Sequence, residues 1–375
     1  MGAVRFDYIA RECRDTFKGS FENVPIVGLE HIEPYDMLLK KYEANVETTF
    51  TKSFKKGQIL FGRRRAYQHK ACVATFDGVC SGDITVIEPI EGRVDRKLLP
   101  FIIQNDDFFE HAIKGSNGAL SPRVKWQHMA SYMVNLPEPD RQKELADKLW
   151  AAYDVKQSYI KMIDAIDELV KSRFIEMFGN ADITKPLSEC IGTTFPGEWG
   201  EDDTDGSGVN VIRTTNFTNS GKLDLTDVVT RKIDQAKIDK KLLIPGDIIL
   251  ERSGGTSDNP VGRVVYFEAI GTFLFNNFTQ LLRCKEGVNS LFVFYSLYNY
   301  YHTHKNEIRR MGNKTTGIQN LKMDKYWDIP IADASPEQEE QFVSLYKQAN
   351  KSKDELRKSI EAIEKVIKSL INENL

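Results

Sequence analysis

The feature that most constrains this chain is a long-period internal repeat, in which a set of short strand-like runs is twice followed by a long, charged, proline-free segment. In the first half, residues 56–61 lead into an arginine-rich turn, then to 71–76 and to 80–87. The second half answers in the same order, with 245–250, an arginine- and glycine-rich turn, 262–267 and 276–282. Their β-branched and aromatic residues, bounded by glycine and proline, predict strands in both copies. Each copy continues with an aromatic helical stretch, 98–112 and 291–301, and then a glycine-containing polar and basic loop, 116–123 and 312–319. Prolines close each copy (Pro137 and Pro139; Pro330 and Pro336) before the long segment begins.

The first long segment, 141–178, spaces Leu145, Leu149, Tyr153, Ile160, Ile163, Val170 and Phe174 by threes, fours or sevens, one apolar stripe on a helix. Gly179 and Asn180 supply its stop. The second opens on Ser335-Pro336-Glu337-Gln338, a capping signature. Its stripe is Phe342, Leu345, Ala349, Ser352, Leu356, Ile360, Ile363, Ile367 and Leu370. Each helix would be on the order of 50 Å long, more than one small domain needs to cover its sheet. The predicted fold is α+β: two pseudo-two-fold-related α/β domains, 1–138 and 181–334, separated by long antiparallel coiled-coil helices, 139–180 and 335–375. The alternative is that each helix folds back on its own domain.

A chain of 375 residues favours at least two domains, and 41% apolar with 28% charged residues suits packed cores rather than a solvated coil. The five cysteines, Cys13, Cys72, Cys80, Cys190 and Cys284, include no C-x-x-C pair, so free thiols in a reducing cytosol are expected. Met1 precedes no apolar leader, and no run of about 18 apolar residues occurs, so a cytoplasmic protein with no membrane span is expected. A formal net charge of -3 argues against a surface that grips phosphate everywhere. Any positive site must be local or shared with partners.

The stretches LFGRRRAYQHKACVATFDGVCSGDI (60–84), GALSPRVKW (118–126), RSGGTSDNPVGRVVYF (252–267), FLFNNFTQ (273–280) and NKTTGIQNLK (313–322), with the duplicated domain-helix order, resemble the specificity subunit of Type I restriction-modification enzymes. The resemblance implies a non-catalytic subunit whose target-recognition domains each read one half of a split double-stranded DNA target. The helices would fix the gap and dock two methyltransferase (modification) subunits, with motor-nuclease (restriction) subunits joining them. It also implies no cofactor on this chain, with S-adenosylmethionine, ATP and Mg in the partners. The alternatives are a coiled-coil adaptor without DNA readout and a fused methyltransferase or nuclease.

The residues agree on chemistry. There is no Asn- or Asp-Pro-Pro-aromatic motif for a flipped adenine and no G-x-x-x-x-G-K-[ST] loop. Gly206-Ser207-Gly208 reads as a surface turn and Asp239-Lys240-Lys241 as a solvated charge cluster. His302 and His304, two apart on a helix, face nearly opposite ways and cannot share a metal. No catalytic or metal residue is assigned.

DNA contact needs basic and amide side chains on loops. The first domain offers Arg63, Arg64 and Arg65 between two strands, Tyr67 and His69 behind them, and Arg123 and Lys125 at the later loop. The second offers Arg252, Ser253, Thr256 and Arg263, the amides Asn276, Asn277 and Gln280, and then Arg309, Arg310, Lys314, Thr315 and Thr316. Asn276 and Asn277 could instead satisfy buried backbone groups, and the arginines could pair with nearby carboxylates. Ser81-Gly82-Asp83 is expected to shape the fold, since Asp83 would repel phosphate.

Overall fold

The structure, a computed structural model, describes residues 2–115, 122–179, 181, 183–256, 258–315 and 318–375, the side chains of Lys314 and Thr315 excepted. The chain forms two compact units, Met1–Ile163 with Asp354–Leu375, and Asp164–Lys353.

In the first unit, Ala3–Arg5 pairs antiparallel with Met133–Asn135 and is followed by the helical turn Phe6–Ile9. A four-stranded antiparallel sheet comes next, in the order Ala10–Cys13, Ile84–Pro89, Ile59–Gly62, Ala71–Val73. A three-stranded sheet stands beside it, with Ile26–Val27 parallel to Gly78–Cys80 and Lys52–Phe54 antiparallel to it. The second unit has the same plan. Thr184–Pro186 pairs with Pro330–Ala332, the helical turn is Leu187–Cys190, and the sheet order is Ile191–Pro196, Thr279–Cys284, Ile248–Glu251, Val264–Tyr266. Its companion sheet repeats the parallel pair with Val209–Ile212 and Phe273–Phe275.

The duplication extends to register. Ile59 stands opposite Ile87 and Val73, while Ile248 stands opposite Leu282 and Tyr266. These central strands are near-continuous apolar runs because both of their faces are covered. Ile59 and Phe61 enter one core and Leu60 the other; Ile248 and Leu250 enter one and Ile249 the other, as the two-residue period of a strand requires.

Two long helices, Pro139–Phe178 and Pro336–Asn374, are divided between the units. The first starts at Pro139, two residues ahead of the striped segment 141–178, because Pro139 is well suited to the opening turn. The second starts as expected: Ser335 Oγ accepts from Gln338 N (3.3 Å), and Gln338 Oε1 accepts from Ser335 N (3.0 Å). Asn180, read as part of the first helix stop, lies outside the described residues.

The stripes divide by position. In the first unit Leu145, Leu149 and Tyr153 belong to the main core, Ile367 and Leu370 pack against it, and Ile371, outside the predicted stripe, is buried in it; Tyr153 Oη donates to Asp36 Oδ1 at 2.6 Å. In the second, Val170, Phe174, Phe342 and Ala349 do so, with Phe174 and Phe342 rings 5.1 Å apart. Ile160, placed on the stripe by its spacing, is exposed. Helix ends thus take part in their unit's core, and each unit also sets the two helices side by side and antiparallel. Lys156 Nζ meets Glu364 at 2.6 Å in the first unit, and Lys353 Nζ bonds Asp167 in the second. Counted from the proline that opens each helix, Lys156 and Lys353 hold the same position, as do Asp167 and Glu364. The internal repeat therefore includes these ion pairs.

Two local readings change. The stretch 98–112 breaks into Leu99–Gln104 and Asp106–Lys114, because the Asn105 side chain accepts from Asp107 N and caps a new helix. The expected loop at 312–319 is a hairpin, Gly312–Thr315 with Ile318–Leu321, and Ser253–Gly254 adds a third strand. The five cysteines are free; burial pushes the Cys13, Cys80 and Cys284 thiols up to about 12. No helix among the described residues is long and apolar enough to cross a membrane.

Lys353 leaves 6% of its side chain exposed, whereas Asp167 leaves 51%. Removing the carboxylate strands a buried ammonium, and removing the ammonium leaves a carboxylate that water can reach. Chemical denaturation should therefore show Asp167→Ala costing about 2–3 kcal/mol and Lys353→Met about 1 kcal/mol or less. Equal costs would mean that the pair does not bear on stability in this way.

Candidate nucleic-acid interface

In each unit the central strand runs directly into a turn whose backbone is held from two sides. Arg63 N donates to the Asp83 carbonyl (2.9 Å), and the Arg63 carbonyl accepts from Val124 N (2.8 Å). Arg252 repeats both bonds, to Phe278 O (2.9 Å) and from Leu321 N (2.8 Å). The next residue bridges antiparallel to the returning chain, Arg64 to Arg123 and Ser253 to Asn320. The third is left-handed in both units, Arg65 at φ 55° and Gly254 at φ 110°. For a residue with a Cβ this conformation costs about 1–2 kcal/mol. Strain of that kind gathers where a side chain must be presented for use.

Charge is organised around Asp83. Arg123 Nε donates to its Oδ1 (2.6 Å), and Arg64 Nη1 lies 3.6 Å from its Oδ2. The Arg123 hydrogen bond, reinforced by charge, holds the Asp83 carboxyl below its ordinary range despite partial burial. Asp83, set aside by its sequence context, thus orients two of the candidate arginines. Arg65 is exposed and forms no ion pair among the described residues. Tyr67 and Lys125 are exposed as well.

His69 is packed between two rings. Its ring stacks on Tyr35 (4.9 Å between centroids) and packs on Phe109 (4.4 Å), and burial lowers its pKa, which favours the neutral ring. Its Nδ1 is buried without a partner among the described residues. Arg63 Nε is likewise buried and unpartnered, although the residue is partly exposed.

In the second unit several candidates are held by internal bonds. Arg263 Nε meets the buried Glu251 at 2.7 Å. Ser253 Oγ donates to Asn320 Oδ1 (2.7 Å), and Thr256 closes a local turn by accepting from Asn259 N (3.0 Å). Gln280 is buried and donates to Thr194 Oγ1 (2.8 Å). Asn276 is 5% exposed and its Oδ1 has no partner among the described residues, so the alternative backbone role is not filled by that atom. Asn277 is exposed, and so is Arg310, on the helix Lys305–Met311. Arg252 is half-buried. The side chains of Lys314 and Thr315, all of Thr316 and the segment 116–121 lie outside the described residues.

The remaining candidates have structural surroundings. Gly206-Ser207-Gly208 forms a turn in which Ser207 Oγ donates to Asp205 Oδ1 (2.7 Å). Asp239 accepts from Gln235 (2.7 Å), and Lys241 pairs with Glu198 (3.1 Å). His302 packs on Tyr298, whereas His304 stacks on Tyr300. Sequence reasoning missed Phe278, which is 39% exposed at the turn beside Arg252. Its sequence signal was its place directly before a buried strand, where an exposed aromatic residue is unexpected.

No protein-family model matches the chain. It is 24% identical over 184 residues to the Type I restriction enzyme EcoDI specificity subunit of Escherichia coli, a match spanning 47% of this chain and 40% of that relative. A solved chain described under complex assembly and conformational transition of the type I R-M system is similar in fold, with TM-score 0.54, 14% identity and 97% of both chains covered. The Type I restriction-modification S subunit from M. genitalium is similar with TM-score 0.56, 11% identity, and 98% of this chain and 94% of that one covered. The chain thus shares its duplicated sheet-and-helix fold with solved chains of type I restriction-modification systems, and about half of it is similar in sequence to a Type I specificity subunit, of whose length it spans 40%.

Proposed function

We propose that this chain is the non-catalytic, sequence-reading subunit of a cytoplasmic Type I restriction-modification complex. Recognition domains at 1–138 and 181–334 each contact one half of a split double-stranded DNA target. The observation that carries this reading is the repeated turn after the central strand, pinned by equivalent backbone bonds and offering arginine in both units. A rigid backbone with exposed guanidinium groups suits both phosphate clamping and bidentate contact to guanine. The exposed and half-exposed groups, Arg64, Arg65, Tyr67, Arg123 and Lys125 in the first unit and Arg252, Asn277 and Arg310 in the second, are the leading contacts.

The helices at 139–180 and 335–375 set the gap between half-sites and dock two modification subunits, to which restriction subunits add cleavage. S-adenosylmethionine, ATP and Mg act in those partners. With a formal net charge of -3 on this chain, firm binding draws on local arginine clusters and on partner surfaces.

Mapping modified bases in host DNA with the gene present and deleted tests the reading: loss of a split methylated motif is expected on deletion, and an unchanged methylome rejects it. Within the assembled complex, replacing Arg63, Arg64 and Arg65 together with alanine should weaken binding and methylation, by roughly 1–3 kcal/mol for each arginine that hydrogen-bonds a base edge.

Arg65→Gly separates fold from function, because the equivalent residue is already Gly254. Its stability should stay within about 1 kcal/mol of the parent, since relief of the left-handed strain offsets glycine's entropy. DNA affinity should fall all the same, and the salt slope should drop by about one if the contact is to phosphate. Parental affinity and slope would remove Arg65 from the interface.

A further inference from the structure

The ladders align one short turn in each unit. Gly62 stands opposite Ile84 and Glu251 opposite Thr279, so Ser81-Gly82-Asp83 and Asn276-Asn277-Phe278 enter equivalent strands from equivalent places. The last residue of each turn accepts the backbone bond that pins the arginine turn: Asp83 O from Arg63 N, and Phe278 O from Arg252 N and Ser253 N. Backbone position is shared while side-chain chemistry is opposite. Asp83 is a carboxylate that accepts from Arg123 and attracts Arg64. Phe278 is a 39% exposed aromatic ring, and in its unit the bridge that matches Arg64–Arg123 is the uncharged pair Ser253–Asn320, joined by a 2.7 Å hydrogen bond.

We infer that the position shared by Asp83 and Phe278 is specificity-determining and makes the two half-sites differ. This rests on the proposed DNA-reading function. In the first unit Asp83 is a positioning residue: it fixes the guanidinium groups of Arg64 and Arg123, and arginine held in a set orientation matches the O6 and N7 acceptors of guanine. In the second unit Phe278 presents apolar surface next to the exposed amide of Asn277, a combination suited to the thymine methyl group and the adenine edge of a T·A pair. Cationic hydrogen bonding thus gives way to apolar contact at one place in a duplicated scaffold.

The test uses the full chain produced with its own modification subunits, and reads the methylated motif across the host genome for the parent, Asp83→Asn, Asp83→Glu and Phe278→Ala. Asp83→Asn should relax a G·C position in one half-site only, with discrimination there falling about tenfold or more, and Asp83→Glu should restore part of it. Phe278→Ala should relax a T·A position in the other half-site only, by a similar factor, with melting temperature close to the parent because the ring is partly exposed. Parental motifs from both variants overturn the inference, as does an even loss of methylation at all sites with the motif unchanged, which would assign the turn to fold support or phosphate grip. A parent chain that yields no split motif overturns the DNA-reading function itself, and this inference with it.

Discussion

The structure depends first on burial of the helix ends in the unit cores. Leu145, Leu149 and Tyr153 pack among Phe101, Ile102 and their neighbours, and Phe174 and Phe178 pack against Phe292 and Phe342. Each such side chain contributes about 1.5–3 kcal/mol by leaving water. Several together fix the direction in which a helix leaves its sheet far more firmly than exposed ion pairs could. In the middle of the first helix Ile160 is exposed and belongs to neither core.

The second constraint is the clasp around each arginine turn. Two backbone hydrogen bonds and one antiparallel bridge occur in both units with nearly the same lengths, although the residues that supply them differ. Because the clasp uses main-chain atoms, it tolerates Asp83 in one unit and Phe278 in the other. Duplicated backbone with free side chains allows each half to diverge without loss of fold.

The repeat, three strands in each half (59–62, 71–73 and 84–89; 248–251, 264–266 and 279–284), both long helices and the serine cap were legible in the sequence, since each rests on local pattern: two-residue periods, helical stripes, proline and capping residues. What was not legible depends on contacts between residues distant in sequence. Arg263 looked like a free loop cation, yet it lies against Glu251, which is itself buried on the central strand. The ring contacts of His69 with Tyr35 and Phe109 likewise join residues far apart in the chain. Asp83 was set aside because an isolated carboxylate repels phosphate, and only the folded chain brings Arg123 to it. The hairpin at 312–321 was read as a loop because its glycine and basic residues mask a strand that needs Ser253–Gly254 as its partner.

Asp83 also bears on how a chain of net charge -3 can meet a polyanion. A carboxylate among arginines lowers the local positive charge, which weakens long-range attraction, yet it holds those side chains in one geometry before any ligand arrives. Arginine carries about 2 kcal/mol of rotamer entropy, so pre-ordering two guanidinium groups offsets a cost that binding would otherwise meet. Its carboxyl, kept below the ordinary range chiefly by the Arg123 hydrogen bond, stays charged throughout the neutral region. In the proposed DNA-reading role the exchange favours discrimination over grip, since fixed donors distinguish base edges whereas a free cationic loop holds every sequence alike.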